Sequence, residues 1–253
     1  MFRPRIIPTL LLRNLGLVKS VGFKDYKYIG DPINAVKIFN DLKADELVFL
    51  DILASKEKRV ISLDFVLKVG DEANMPFSVG GGLRTIRDIR SVLRAGAEKV
   101  VINTYAAEDP AFIRKAAEEF GSSTITVCID VKKKIFGKQQ VYINGGSKAT
   151  SLDPVPFAKL MEEMGAGELI INSIDRAGSM EGYDIELIRT VSDSVTIPVV
   201  ALGGAGKLND LNEAVKNGHA SAVAAGSLFV FHGPRRAVLI NYPQPEELKN
   251  IFK

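Results

Sequence analysis

A carboxylate at the end of an apolar run is a group held where it can exchange protons. The run ITVCID ends in Asp130 and LVFLD ends in Asp51. A carboxyl so placed acts as a general acid or base once partial burial tunes its pKa, although an aspartate there can also cap a helix or brace a loop. Lys19, between the first run and the next, is a candidate helper, as is Asp51. Other runs end in groups suited to oxyanions. SVGGG leads into Gly81 and Gly82, VINT into Asn103 and Thr104, VALGG into Gly203 and Gly204, and VAAGS into Gly226 and Ser227. Glycine lets backbone N–H groups approach an oxyanion, and a following helix terminus adds a favourable dipole. Tight turns explain any one cluster equally well. Two matched sets predict two phosphate grips on opposite sides of one mouth. GGAGK is not a Walker loop, because its spacing and following residue are wrong. Against these neighbours the first run, RIIPTLLL, delivers only leucines.

Groups at run ends need elements that bring the ends together. Apolar runs near 5–11, 47–51, 76–80, 99–103, 124–130, 168–172, 197–202 and 221–225 read as strands buried on both faces. Helical patterns lie between them. DPINAVKIFNDL starts with Asp31 as cap and Pro32 at the first helical position, and EDPAFIRKAAEEFG repeats that logic with Asp109 and Pro110 before stopping at Gly121. YDIELIRTVSDS and KLNDLNEAVKNG carry apolar residues at three-to-four spacing. Eight strand–helix units in 253 residues predict an α/β fold, a (β/α)8 TIM barrel. DELVFLDI (45–52) is echoed by GELIINSI (167–174), and MPFSVGGGLR (75–84) by IPVVALGGAG (197–206). The chain therefore reads as one domain, 1–253, made of half-barrels of about 1–122 and 123–253. Each half alone would leave two open sheet edges, and closure removes them.

The bulk composition narrows the classes. With 33 basic and 30 acidic residues well mixed, the net charge of +3 gives no basic stripe for nucleic acid. The KKK at 132–134 reads as a solvated loop. Cys128 is the only cysteine, which excludes an internal disulfide framework and suits a small core residue. No apolar stretch approaches the ~20 residues of a membrane span, and MFRPRIIP is not a signal region, so a cytoplasmic protein is expected. His219 and His232 fall in helix-end or loop contexts, and neither a metal nor a cofactor is expected. Arg5, Glu46, Lys99 and Glu168 begin four of the strands. Charges of alternating sign beside a barrel axis read most simply as a plug that neutralises itself.

Together these residues resemble the HisF family, the cyclase subunit of imidazole glycerol phosphate synthase. RIIP, DELVFLDI, VGGGLR, GAEKVVIN, GAGELIINSIDRAG, GYDIELIR and IPVVALGGAGKL carry the likeness, which runs to about residue 231. The resemblance implies a (β/α)8 barrel of the ribulose-phosphate-binding type, whose upper face binds a substrate with two phosphates. It implies a HisH-like glutaminase as heterodimer partner on the lower face, and it makes Arg5, Glu46, Lys99 and Glu168 the ring around an ammonia entrance. Gly82, Asn103, Thr104, Gly178, Gly203 and Gly204 match phosphate-grip positions. Asp130 matches the second catalytic aspartate, and Lys19 and Asp51 match as well. The first catalytic aspartate is replaced by Leu11, while Asn172, Ala177 and Leu202 also depart from the family's upper face. Leucine can neither donate nor accept a proton, and losing such a group costs about 10²–10⁴-fold in rate. The pattern is most similar to the HisF-like branch of surface-polysaccharide loci (WbuZ-like). There such a barrel is expected to supply ammonia to an N-acetyl sugar amidotransferase. The alternative implied is the cyclase of histidine biosynthesis, which makes imidazole glycerol phosphate and aminoimidazole carboxamide ribotide. An isomerase of the ProFAR type is disfavoured by the same leucine.

Overall fold

Continuous apolar runs have no polar face to show to water, so the strands they form must be covered on both sides. In a computed structural model, which describes residues 3–134 and 137–252, eight such runs are the staves of a closed parallel barrel. They are β1 (Arg5–Arg13), β4 (Leu47–Asp51), β5 (Phe77–Gly80), β6 (Lys99–Ile102), β7 (Ile125–Lys133), β10 (Glu168–Ser173), β11 (Val199–Leu202) and β12 (Ala222–Ala225). Each pairs in parallel with the next. The pairing of β7 with β10 and of β12 with β1 leaves no edge, so the fold is a single (β/α)8 barrel.

Helices follow the strands where the caps direct. In α1 (Pro32–Asp41) the Asp31 side chain accepts from the Asn34 N–H at 2.9 Å and Pro32 occupies the first turn. Asp109 departs from the expectation. It precedes the helix Pro110–Phe120 but makes no side-chain cap, because the same residue ends the short helix Thr104–Glu108 and its N–H is committed to Tyr105 O at 2.8 Å. The helices lay an apolar stripe on the outside of the barrel, with Phe49 of β4 meeting Phe65 edge-on at 5.3 Å between ring centres.

Side chains alternate in and out along each stave. Ile7, Val48, Val101, Cys128, Ile170, Val200, Ala222 and Ala224 form a separate apolar cluster filling the interior. That alternation puts Arg5, Thr9 and Leu11 on the inner face with Ile7, and puts Thr126 and Asp130 there with Cys128.

Two hairpins rise above the staves, and neither was foreseen. After β1, β2 (Gly16–Val21) and β3 (Lys24–Gly30) form an antiparallel pair, so Lys19 lies in a strand and not in a loop. β7 runs on to pair with β8 (Gln139–Ile143), so Lys132 and Lys133 are strand residues opposite Gln140 and Gln139 rather than loop. β8 then pairs with β9 (Lys148–Ala149). The hairpins lean across the mouth. Gly22 N–H donates to Ala177 O at 2.8 Å, and the Phe23 ring lies against Gly146. His232 also departs from expectation, in a two-residue strand paired with Ala237. Among the described residues no helix is long and apolar enough to cross a membrane.

Candidate active site

The parallel register carries the carboxyl ends of all eight staves to one level, and a cavity opens there under the two hairpins. Lys19, Asp51, Gly81, Gly82, Asn103, Thr104, Asp130, Gly178, Gly203, Gly204, Gly226 and Ser227 all line it, as do Leu11, Asn172, Ala177 and Leu202. Residues from strands four barrel positions apart therefore face each other across one space. The loop of Gly81 and Gly82 follows β5, and that of Gly203 and Gly204 follows β11 on the opposite side.

Asp130 is buried within β7, opposite Asn172 of β10, where the strand passes from the barrel into the hairpin with β8. One carboxylate oxygen accepts from Asn172 Nδ2 at 2.8 Å and the other from Asn103 Nδ2 at 3.2 Å, with Cys128 Sγ at 3.9 Å. Burial outweighs these hydrogen bonds and raises the Asp130 pKa to about 6. The same burial, with the carboxylate beside it, pushes the Cys128 thiol well up, so it is a protonated wall of the cavity. Lys19 stands on the β1 side. Its Nζ donates to Thr9 O at 2.7 Å, and burial lowers its pKa to about 7. A proton-holding carboxyl and an amine near neutrality thus occupy opposite sides of the mouth. Leu11, on the same β1 side as Lys19, contributes only apolar surface to the cavity.

Asp51 is bound differently. Arg59 Nη1 donates to it at 2.5 Å, and the backbone N–H groups of Leu53 and Ala54 donate at 3.1 and 3.2 Å. It braces the loop that carries Arg59. That loop passes so close to Gly82 (φ +67°) that a Cβ there would lie 1.8 Å from Arg59 O. Only glycine fits. Thr104 likewise fixes a hairpin, its Oγ1 accepting from Asn144 N–H at 3.0 Å.

At the other end of the barrel the four predicted charges meet. Arg5 donates to both Glu46 and Glu168, which lie 163 residues from it in the second case. Lys99 Nζ is 3.6 Å from Glu46 and 3.3 Å from Glu168, and Ser78 Oγ donates to Glu46 at 2.9 Å. The glutamates are almost fully buried, while Arg5 is about one-third exposed. The attraction of Arg5 to both carboxylates raises its pKa despite its burial. The ring is closed, charge-balanced and anchored on five staves or their first residues.

Several residues of these two sites carry no clear signal in the sequence. Arg59 lies in the charged stretch KEKR, where nothing marks one cation from the next. Ser78 could be found only by reading the inward alternation of β5. Phe23 and Tyr26 line the cavity from the β2–β3 hairpin, and the weak alternation in KDYKY does not mark that hairpin as a pair of strands. Among the described residues no three His, Cys, Asp or Glu side chains are grouped as metal ligands would be.

The model of the family described as "Histidine biosynthesis protein" matches residues 5–234. The chain is 43% identical to a Leptospira interrogans protein named "Putative imidazole glycerol phosphate synthase subunit HisF", over 253 residues and the whole of both chains. It is 44% identical over 248 residues to "Putative imidazole glycerol phosphate synthase subunit hisF2" of Pseudomonas aeruginosa, covering 98% of this chain and 99% of that one. It is also 44% identical to the "Imidazole glycerol phosphate synthase subunit HisF" of Alkaliphilus metalliredigens, over 232 residues and 92% of each chain.

Proposed function

The chain belongs to the histidine biosynthesis protein family as a HisF-like subunit, and from that premise we propose that it pairs with a HisH-like glutaminase and passes ammonia to an N-acetyl sugar amidotransferase of surface-polysaccharide biosynthesis. In this reading the protein works in the cytoplasm. Glutamine hydrolysis below the barrel releases ammonia at the ring of Arg5, Glu46, Lys99 and Glu168, and the barrel interior delivers it upward. The upper mouth holds a phosphorylated small molecule between grips supplied by half-barrels of about 1–122 and 123–253. Gly81, Gly82, Asn103 and Thr104 belong to one half, and Gly203, Gly204, Gly226 and Ser227 to the other, with Gly178 beside them.

The single observation that carries the proposal is Leu11 at the level of Asp130. The ring at the bottom is whole, while the strand-one end of the mouth has lost its carboxyl. Cyclisation needs proton transfer on both faces of the substrate.

The test mixes the pure protein with its glutaminase and the sugar amidotransferase and follows glutamine-dependent amidination of an N-acetyl sugar. The barrel should make glutamine an effective nitrogen source. If glutamine supports no more product with the barrel than without it, the proposal fails.

A second reading keeps the cyclase reaction of histidine biosynthesis. What favours it is Asp130, buried and tuned to about 6, among the phosphate loops. Rescue of a strain lacking the histidine-pathway cyclase would establish it and displace the first.

A further inference from the structure

The amine of Lys19 is buried, yet it faces no counter-charge. Among the described residues no carboxylate lies within ion-pair distance of it, and its one hydrogen bond is to the carbonyl of Thr9 at 2.7 Å. An ammonium group has three protons to place, and leaving them unpaired indoors is costly. The structure makes deliberate room for this amine. Gly226 has φ −105°, a backbone that any residue adopts, so conformation does not demand glycine there. The neighbour does: a Cβ at 226 would lie 2.3 Å from Lys19 Nζ. Burial brings the group to about 7, so near neutrality much of it carries a free lone pair. Across the mouth, four barrel positions away, Asp130 holds or gives up its proton in the same range.

A desolvated amine, a proton carrier opposite and anion-binding loops beside both are what imine formation requires. We propose that Lys19 is a carbonyl-reactive amine that takes a phosphorylated aldehyde or ketone as an imine. The lone pair of Nζ attacks the carbonyl carbon, and the C=O π pair moves to oxygen. Asp130 relays a proton from nitrogen to that oxygen, giving the carbinolamine. A second relay of the same kind releases the oxygen as water as the C=N bond forms. Amine and carbonyl become imine and water, with no oxidant or reductant consumed. Ser227 and the loop of Gly203 and Gly204 hold the phosphate of the bound molecule. The inference rests on the reading of this mouth as a site for a phosphorylated ligand, and it adds the functional group that ligand must carry.

The experiment traps the imine in the protein alone. Full-length protein is incubated at pH 7.5 with glyceraldehyde 3-phosphate or with ribulose 5-phosphate, in the presence of sodium cyanoborohydride, and read by intact mass and peptide mapping. One adduct per chain is expected, at Lys19, with labelling about tenfold above any exposed lysine, since an ordinary lysine near 10.4 is almost wholly protonated at that pH. The aldehyde and ketone arms separate the two carbonyl classes. Unphosphorylated glyceraldehyde should lose the preference for Lys19. Lys19→Met should abolish the adduct, and Gly226→Ala, which crowds the amine, should lower it about tenfold, in line with the loss of a positioned group. Labelling scattered over surface lysines in the wild-type protein, or an unchanged adduct in Lys19→Met, overturns the inference. The wild-type map decides the matter if a variant fails to fold. No glutamine or glutaminase is present, so failure here leaves ammonia transfer standing. Conversely, a Lys19 adduct without glutamine-dependent amidination would count against ammonia transfer alone.

Discussion

Replacing Asp130 with asparagine should stabilise the protein at pH 8 and not at pH 4. In the folded chain Asp130 is 6% exposed, and burial holds its carboxyl at about 6 against an ordinary 3.8. Its folded pKa is therefore the higher of the two. The stability it contributes is present in full below 3.8 and is lost as pH rises through about 6, because the folded state must then release a proton it binds tightly. A difference of about two pH units at 1.36 kcal/mol each makes the buried charge cost about 3 kcal/mol at pH 8. Asparagine carries no charge, so it escapes this cost. It cannot accept from both Asn103 and Asn172 in the same way, however, since one of its two side-chain heteroatoms is a donor. That mismatch costs about 1 kcal/mol. The balance is a gain of about 2 kcal/mol at pH 8 and a slight loss at pH 4. Urea unfolding of wild type and Asp130→Asn, followed by far-ultraviolet circular dichroism across pH 4–8, reads the difference directly. Other titrating groups cancel in it. Parallel curves, with one constant offset at every pH, would refute the claim that Asp130 is held as a buried, high-pKa acid.

Lys19→Met should show the opposite dependence. The folded pKa of Lys19 is depressed to about 7, so the stability it contributes is present above its ordinary 10.5 and lost as pH falls through 7; the variant should gain on wild type in acid, measured by the same unfolding series. Leu11→Asp restores a carboxyl on the strand-one side of the mouth and should raise ammonia-dependent cyclisation by at least about 10²-fold in a coupled assay. No gain would show that Asn172, Ala177 and Leu202 have closed that route as well. Glu46→Ala leaves Arg5 and Lys99 with Glu168 alone. It should cost about 3 kcal/mol or less, because Arg5 is partly exposed, and should impair glutamine-dependent output while leaving phosphate-ligand affinity at the top unchanged. An equal loss of that affinity would contradict the division between the two ends. Gly82→Ala must push Arg59 O away from a Cβ 1.8 Å distant, and should lower the unfolding midpoint by more than the roughly 1 kcal/mol of a positive-φ alanine while weakening inorganic phosphate binding by calorimetry.

The parts of the fold that were legible in the sequence share a cause. A stave buried on both faces must be apolar throughout, so eight continuous runs announced eight strands within three residues of where they lie, the largest gap being at the far end of β7 where it leaves the barrel for its hairpin. Asp31 and Pro32 announced a helix start because capping is a local transaction between neighbours. The hairpin β2–β3 escaped notice for the complementary reason. Its outer strand β3 lies largely in water, and KDYKYIG alternates too weakly to separate from a loop. Asp109 misled because its backbone serves two helix ends at once, which no single-helix pattern foresees.

The chain alone determined which chemical groups stand at the strand ends: a carboxyl at 130, leucine at 11, paired glycine clusters, and four charges at the strand beginnings. It also determined the β–α order that makes those ends converge. What only closure decided is who meets whom. Arg5 and Glu168 stand at opposite ends of a 163-residue span, and Asp130 takes its hydrogen bonds from Asn103 and Asn172, 27 and 42 residues off. Such contacts depend on the register of β7 against β10 and of β12 against β1, set by the packing of the whole interior. The proton affinities of Asp130 and Lys19 follow from the same source. Desolvation belongs to a place in the fold, and a residue's type or its neighbours in the chain do not supply it.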